Sequence, residues 1–187
     1  MENPVREIPA VVHLLTQTPP SIQRDTLETY FTPNAAFNHP FCRVESWFPS
    51  SRSIIRAIYH WYKIMSPKIL LSVESVAFDQ PNNLLYVGIS QRFAIWFVPL
   101  YRSNVKLVTV LQLEYQKSNA KYYIKSQNDL YQTDQFVKFV LPYGGPVLVW
   151  IWQTVATLAC VLLALLFWPM SAIQEYVHPQ HPAKRSS

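Results

Sequence analysis

Cysteine is nearly absent, and the two present, Cys42 and Cys160, stand on opposite sides of a change in composition. Cys160 lies inside a long apolar run and Cys42 in the polar part, so no disulfide framework is expected. No Asn-x-Ser/Thr sequon occurs. The N-terminus, MENPVREIPAVVHLL, has charges at Glu2, Arg6 and Glu7 and no long apolar stretch, which excludes a secretory signal. Glycine occurs three times, two of them adjoining at Gly144-Gly145, while aromatics make up 14% of the chain. This composition excludes disordered and repeat classes. Strong charge of one sign is also lacking: residues 1–142 carry 14 Lys/Arg against 10 Asp/Glu, a mild, scattered excess that either favours an anionic membrane surface or is solvated surface. No nucleic-acid module is recognisable. Nucleic acid is therefore not an expected partner. The nucleophile elbow, the P-loop and the dinucleotide fingerprint are missing as well. Histidines stand at 13, 39, 60, 178 and 181, and only the last two are close, so neither metal nor cofactor is expected.

What is present is a run without charge from Phe139 to Gln174. Its most apolar part, residues 146–170 (PVLVWIWQTVATLACVLLALLFWPM), would span roughly 37 Å as a helix, more than the ~30 Å hydrocarbon core of a bilayer. Trp150 and Trp152 mark one end and Trp168 the other, as aromatic belts do. We read a single transmembrane helix over 146–170, a Gly-Gly hinge at 143–145, a polar tail over 171–187, and one domain over 1–142 large enough for one core. The alternative is a helix packed within a soluble domain. With no signal, sequon or disulfide, the expected arrangement is a tail anchor, single-pass in the endoplasmic reticulum membrane, with the domain facing the cytosol. The lipid bilayer is then a partner, and the short hinge holds the domain close to it.

Along the domain, Asn3 and Pro4 open a helix over 3–17 whose apolar face is Val5, Ile8, Val11, Val12 and Leu15. Ser21 caps a second helix through Phe31, with Ile22, Leu27, Tyr30 and Phe31 as its apolar set. Residues 32–40 read as a turn into a short extended piece. A third helix over 51–65 carries a stripe of Ile54, Ile58, Trp61, Tyr62 and Met65. From there the period changes to two, giving strands at 68–78, 84–98, 105–115 and 121–131, the second ended by Pro99, and then a short helix near 134–140. In the second strand Leu85, Val87, Ile89, Gln91, Phe93, Ile95 and Phe97 share one face. Three helices followed by an antiparallel meander predict an α+β domain, with a curved antiparallel sheet, cone-shaped, enclosing an apolar pocket for a hydrophobic small molecule.

This order of elements resembles the nuclear transport factor 2-like cone fold, shared with polyketide cyclases, scytalone dehydratase and ketosteroid isomerase. The segment Tyr30-Phe31-Thr-Pro-Asn-Ala-Ala-Phe37 looks like the family's helix-end YF-x-P-[DN]-A-x-F, and Tyr122 to Tyr131 like its last strand. His39-Pro40, Trp61-Tyr62, Gln91-x-Phe93 and Gln127-x-Asp129-Leu-Tyr131 look like a fungal SigF-like group, whose members often end in a hydrophobic segment. The similarity covers about residues 3–142. It implies the fold more than the chemistry, since the fold hosts enzymes and carriers alike. Neither the tyrosine-plus-acid set of ketosteroid isomerase nor the histidine, Asp and tyrosine set of scytalone dehydratase is complete here.

Candidate chemistry rests on a few residues. His39 could act as general base or acid, or be a loop histidine bonded to backbone. Asp129, between Gln127 and Tyr131 on one side of the last strand, is either an inward, desolvated base or a strand-end residue capping the next helix. Gln91, alone among apolar neighbours, is a satisfied core amide or a ligand contact. Tyr59 and Tyr62 could polarise a substrate oxygen or fill a core. The expectation is a membrane-anchored, cofactor-independent isomerase or cyclase of fungal secondary metabolism, acting on a polyketide or terpenoid. His39 and Asp129 would be catalytic, and Gln91, Tyr59, Tyr62, Gln127 and Tyr131 would bind substrate. A homodimer and membrane-bound biosynthetic enzymes are the further associations this reading allows. The alternative is a non-catalytic ligand carrier or scaffold at the same membrane.

Overall fold

In a computed structural model describing residues 1–67, 69–94 and 102–170, the chain forms two units, Met1–Pro146 and Val147 onward. The first unit opens with α1 (Pro4–Gln17) and α2 (Pro20–Tyr30). The Asn3 side chain accepts the Arg6 N–H at 3.1 Å, and Glu7 Oε1 accepts the N–H groups of Glu2 and Asn3 at 2.7 Å each, so the first turn of α1 is capped from both directions. Ile8, Val11 and Leu15 bury one face of α1, while Val5 remains exposed. In α2 the helix starts at Pro20 rather than from a Ser21 cap, and the buried residues are Gln23, Thr26 and Leu27; Ile22 is exposed.

The segment read as a turn into a short extended piece is a nine-residue strand, β1 (Phe31–His39), followed by β2 (Cys42–Val44). Phe31 is therefore the first residue of β1 and not the end of α2. Helix α3 (Ser51–Met65) comes after these strands, so the helices do not all precede the sheet. Its buried residues are Ser51, Ile55 and Tyr59. Trp61 and Ile54 are exposed, so the face turned inward is rotated from the one expected, with Ile58 and Tyr62 packing at its margin.

Strands β3 (Leu70–Asp79), β4 (Leu84–Phe93), β5 (Ser103–Gln116) and β6 (Lys121–Tyr131) form the meander. Residues 95–98 of the expected second strand, and Pro99, lie outside the described residues. The six strands form one curved sheet in the order β2-β1-β6-β5-β4-β3. All neighbours are antiparallel except β1 and β6, which pair in parallel, so the sheet is mixed rather than antiparallel. Leu85, Val87 and Ile89 of β4, Leu107 and Leu111 of β5 and Ile124 of β6 face α1 and α3 across the core. A short helix α4 (Thr133–Val140) packs against β5, and Gly144 then takes a φ of 109°, a backbone region side chains other than glycine's resist.

Helix α5 (Gly145–Leu166) carries no charge, has a mean hydropathy of 2.1 over its most apolar window, and buries none of that window. It is the one helix among the described residues long and apolar enough to cross a membrane. The polar tail, residues 171–187, lies outside the described residues.

Candidate functional site

Between the sheet and the N-terminal helices lies a cavity of about 340 Å³, inside the ~300–1,000 Å³ range of small-molecule sites. Its walls are mainly apolar, with Phe31, Phe37, Ile89, Leu107, Leu111 and Ile124 prominent. All seven residues singled out from the sequence line it: His39, Tyr59, Tyr62, Gln91, Gln127, Asp129 and Tyr131. The reason is register. Period-two alternation turns Gln127, Asp129 and Tyr131 to one face of β6, and β5 sets Thr109 opposite Asp129 and Leu107 opposite Tyr131. Parallel pairing brings Phe37 of β1 beside Gln127, carrying His39 to the same end of the cavity.

The polar groups form two hydrogen-bonded chains. In the first, the Tyr59 hydroxyl donates to Gln127 Oε1 at 2.9 Å, which fixes the amide so that its Nε2 donates to Asp129 Oδ1 and Oδ2 at 3.0 and 3.1 Å. Thr109 Oγ1 donates to Asp129 Oδ1 at 2.7 Å. Removal from bulk water raises the Asp129 carboxyl to about 6, while the Thr109 and Gln127 donors pull the other way. Burial also raises the Tyr59 phenol, helped by the Asp129 charge.

The second chain runs through His39. The backbone N–H of Phe41 approaches His39 Nδ1 at 3.3 Å, and an N–H can only donate. The neutral ring therefore carries its proton on Nε2, which donates to the Tyr131 oxygen at 3.3 Å. Tyr62 lies 3.2 Å from the same Nδ1 and serves as a second donor to it, with Cys42 Sγ 3.2 Å behind. Burial lowers His39 to about 4, so the ring is neutral at pH 7. Gln91 Nε2 also donates to the Tyr131 oxygen, at 3.4 Å. Tyr131 thus receives two hydrogen bonds, and its own O–H has no acceptor among the described residues. Burial, then the Asp129 charge, raises its pKa.

Such an arrangement can do two things at once. A carboxylate whose pKa sits near neutrality can take a proton from carbon, and a phenol O–H aimed into an apolar space can hold an oxygen on which charge develops. Among the described residues no cluster of His, Cys, Asp or Glu could hold a metal ion. Thr109 was not singled out from the sequence. In the inward set of β5, which Ser103 begins, it is the polar residue set among Val105, Leu107, Leu111 and Leu113, the signal by which Gln91 stood out on the strand before.

Helices behind a curved sheet, and polar groups gathered at one end of an apolar cavity, define the nuclear transport factor 2-like class. A protein of ketosteroid isomerase-like fold from Catenulispora acidiphila, in complex with trimethylamine, matches with a TM-score of 0.52 at 15% identity, over 69% of this chain and 90% of that one. Two others match with lower scores. A protein assigned as a SnoaL-like polyketide cyclase from Jannaschia sp. gives a TM-score of 0.48 at 17% identity, over 68% and 88% of the two chains. A protein assigned as a SnoaL-like isomerase from Agrobacterium tumefaciens gives 0.49 at 9%, over 68% and 97%. No curated protein matches the sequence significantly. The chain belongs to the SigF NTF2-like domain family, whose model matches residues 1–170.

Proposed function

We propose that this chain is a cofactor-independent isomerase or cyclase that moves a proton on a hydrophobic substrate carrying a carbonyl. The observation that supports it is the pairing, on one face of β6, of a carboxylate lifted to about 6 with a phenol whose O–H is unspent. Asp129 takes a proton from the carbon next to the carbonyl. The enolate oxygen is held by the Tyr131 O–H, and the protonated Asp129 then returns the proton to a second carbon, completing an isomerisation. Ring closure follows instead if the enolate carbon attacks a second carbonyl within the substrate, whose C=O π bond opens to an alkoxide that takes the Asp129 proton. Dehydration follows if the substrate expels a hydroxide that takes the Asp129 proton. His39, neutral and held on both nitrogens, positions Tyr131 from behind, as does Gln91; Tyr62 and Gln127 position His39 and Asp129.

The substrate class we assign is a polyketide or terpenoid of fungal secondary metabolism, handed over by membrane-bound biosynthetic enzymes. Helix α5 anchors the chain in one pass in the endoplasmic reticulum, the domain in the cytosol and two copies in contact. A second reading, a non-catalytic carrier or scaffold, draws on a specific feature: three donor contacts already occupy the Asp129 oxygens, leaving less capacity for a substrate proton. Solvent deuterium exchange separates the two. Purified full-length protein, incubated in deuterated water with a hydrophobic aryl ketone, is expected to speed deuterium entry at the carbon next to the carbonyl. Asp129→Asn is expected to abolish that gain. Binding of the ketone without accelerated exchange would favour the carrier.

A further inference from the structure

The mouth of the cavity is marked by side chains that belong both to its wall and to the outer surface. Trp61 of α3 is 55% exposed and Phe41, in the β1–β2 turn, 52%, and both line the cavity. The Phe136 and Phe139 rings of α4 lie 5.2 and 5.6 Å from Phe41, and Phe139 reaches Tyr131 at 5.6 Å. Helix α4 has no buried residue, and beyond it Leu141 and Tyr143 are open to solvent. Ile64 and Leu70, where α3 passes into β3, are exposed as well. An apolar surface of this kind around a cavity mouth marks a site of interaction.

We propose that this rim is a docking surface for the bilayer interface, with Trp61, Phe41, Leu70 and Leu141 at headgroup level, so that the cavity opens toward hydrocarbon and not toward water. The inference rests on the reading of α5 as a membrane span. Chain length argues for lipid as the occupant. Four residue steps separate Leu141 from Gly145, the first residue of α5, a reach of at most ~14 Å when extended. Chemistry argues likewise: Trp and Tyr prefer the interface. At this end of the sheet, Lys63, Arg92, Arg102, Lys106 and Lys138 stand against Glu74 and Asp134, an excess suited to anionic headgroups. A ligand dissolved in the membrane would then reach Asp129 without crossing water.

Nitroxide labelling of the full chain tests this, on a Cys42→Ala, Cys160→Ala background in phosphatidylcholine vesicles with and without phosphatidylserine. Labels are placed at Trp61→Cys, Leu141→Cys, Ser118→Cys (the turn at the far end of the sheet) and Leu158→Cys of α5. The expected result is that labels at 61, 141 and 158 lose collisions with a water-soluble nickel chelate while gaining them with oxygen. The label at 118 should stay open to the chelate, and phosphatidylserine should deepen the shielding at 61. Labels at 61 and 141 as open as 118, with 158 shielded, would overturn the docking and leave the anchor standing. Shielding at 61 and 141 with 158 open would support docking and overturn the anchor. Labels all open would overturn both.

Discussion

Asp129 and His39 answer acid in opposite directions, and their effects on stability can be separated. Burial raises Asp129 from 3.8 to about 6, so the folded state keeps a proton that the unfolded chain has released. Its contribution is full below 3.8 and lost as pH rises through about 6. Burial lowers His39 from 6.5 to about 4, so its contribution is present above 6.5 and lost as pH falls through about 4. In the wild type the two slopes oppose each other. Urea midpoints across this window should rise on acidification in His39→Gln and fall in Asp129→Asn. On activity, Asp129→Asn should cost about 10²–10⁴ in rate, the usual worth of a general base. Thr109→Val keeps the shape of the side chain but removes a donor to the carboxylate. The carboxyl should rise further, moving the acid limb of the pH–rate profile to higher pH, which a profile of kcat/KM reads directly.

The two ends of the domain differ in how much of them periodicity reveals. β4 and β5 alternate between buried and more open residues, and β3 largely between half-buried and exposed ones, so the meander was legible, as was α1 with its Asn3 cap. β1 was not, because Phe31-Thr-Pro-Asn-Ala-Ala-Phe-Asn-His39 carries the Pro and Asn of a turn, and its strand character comes from a partner, β6, remote in sequence. The α3 face was misjudged because both sides of that helix are apolar: Ile54 and Ile55 adjoin, and only packing selects the second. Ile55 is fully buried and Ile54 38% exposed. Ile55→Ala should therefore lower unfolding free energy by about 2–5 kcal/mol and Ile54→Ala by roughly 0.5 or less, measured by denaturant titration. Gln91 was readable as a polar exception on its strand, and Tyr59 and Tyr62 as aromatics of the third helix. Gln127, Asp129 and Tyr131 were readable from their shared side of the last strand, and His39 from its place after the second helix. Their division into two hydrogen-bonded chains was not, because it depends on which nitrogen of His39 meets the Phe41 backbone. At this scale Phe139 closes one side of the cavity against Phe93 and Tyr131. Phe139→Ala should weaken binding of an environment-sensitive apolar dye several-fold and, through its lost ring contacts, lower the unfolding midpoint modestly.

For the whole chain, the balance between domain and apolar helix fixes its behaviour in cells. The full protein should resist extraction by alkaline carbonate, whereas a chain ending at Pro146 should be released by it, both read by immunoblot. The parallel pairing of β1 with β6 has a temporal side. Asn38 and Asn128 touch across the sheet although 90 residues apart in sequence. At about 5–20 residues per second of synthesis, β1 waits roughly 5–18 seconds for its neighbour. Through that interval Phe31 and Phe37 have no sheet to cover them, and loop closure over this distance makes the final step slow. Only 13 residues separate the end of β6 from the start of α5. The last strand and the apolar helix thus leave the ribosome almost together, and whatever shields the helix has to act while the domain is still closing its sheet.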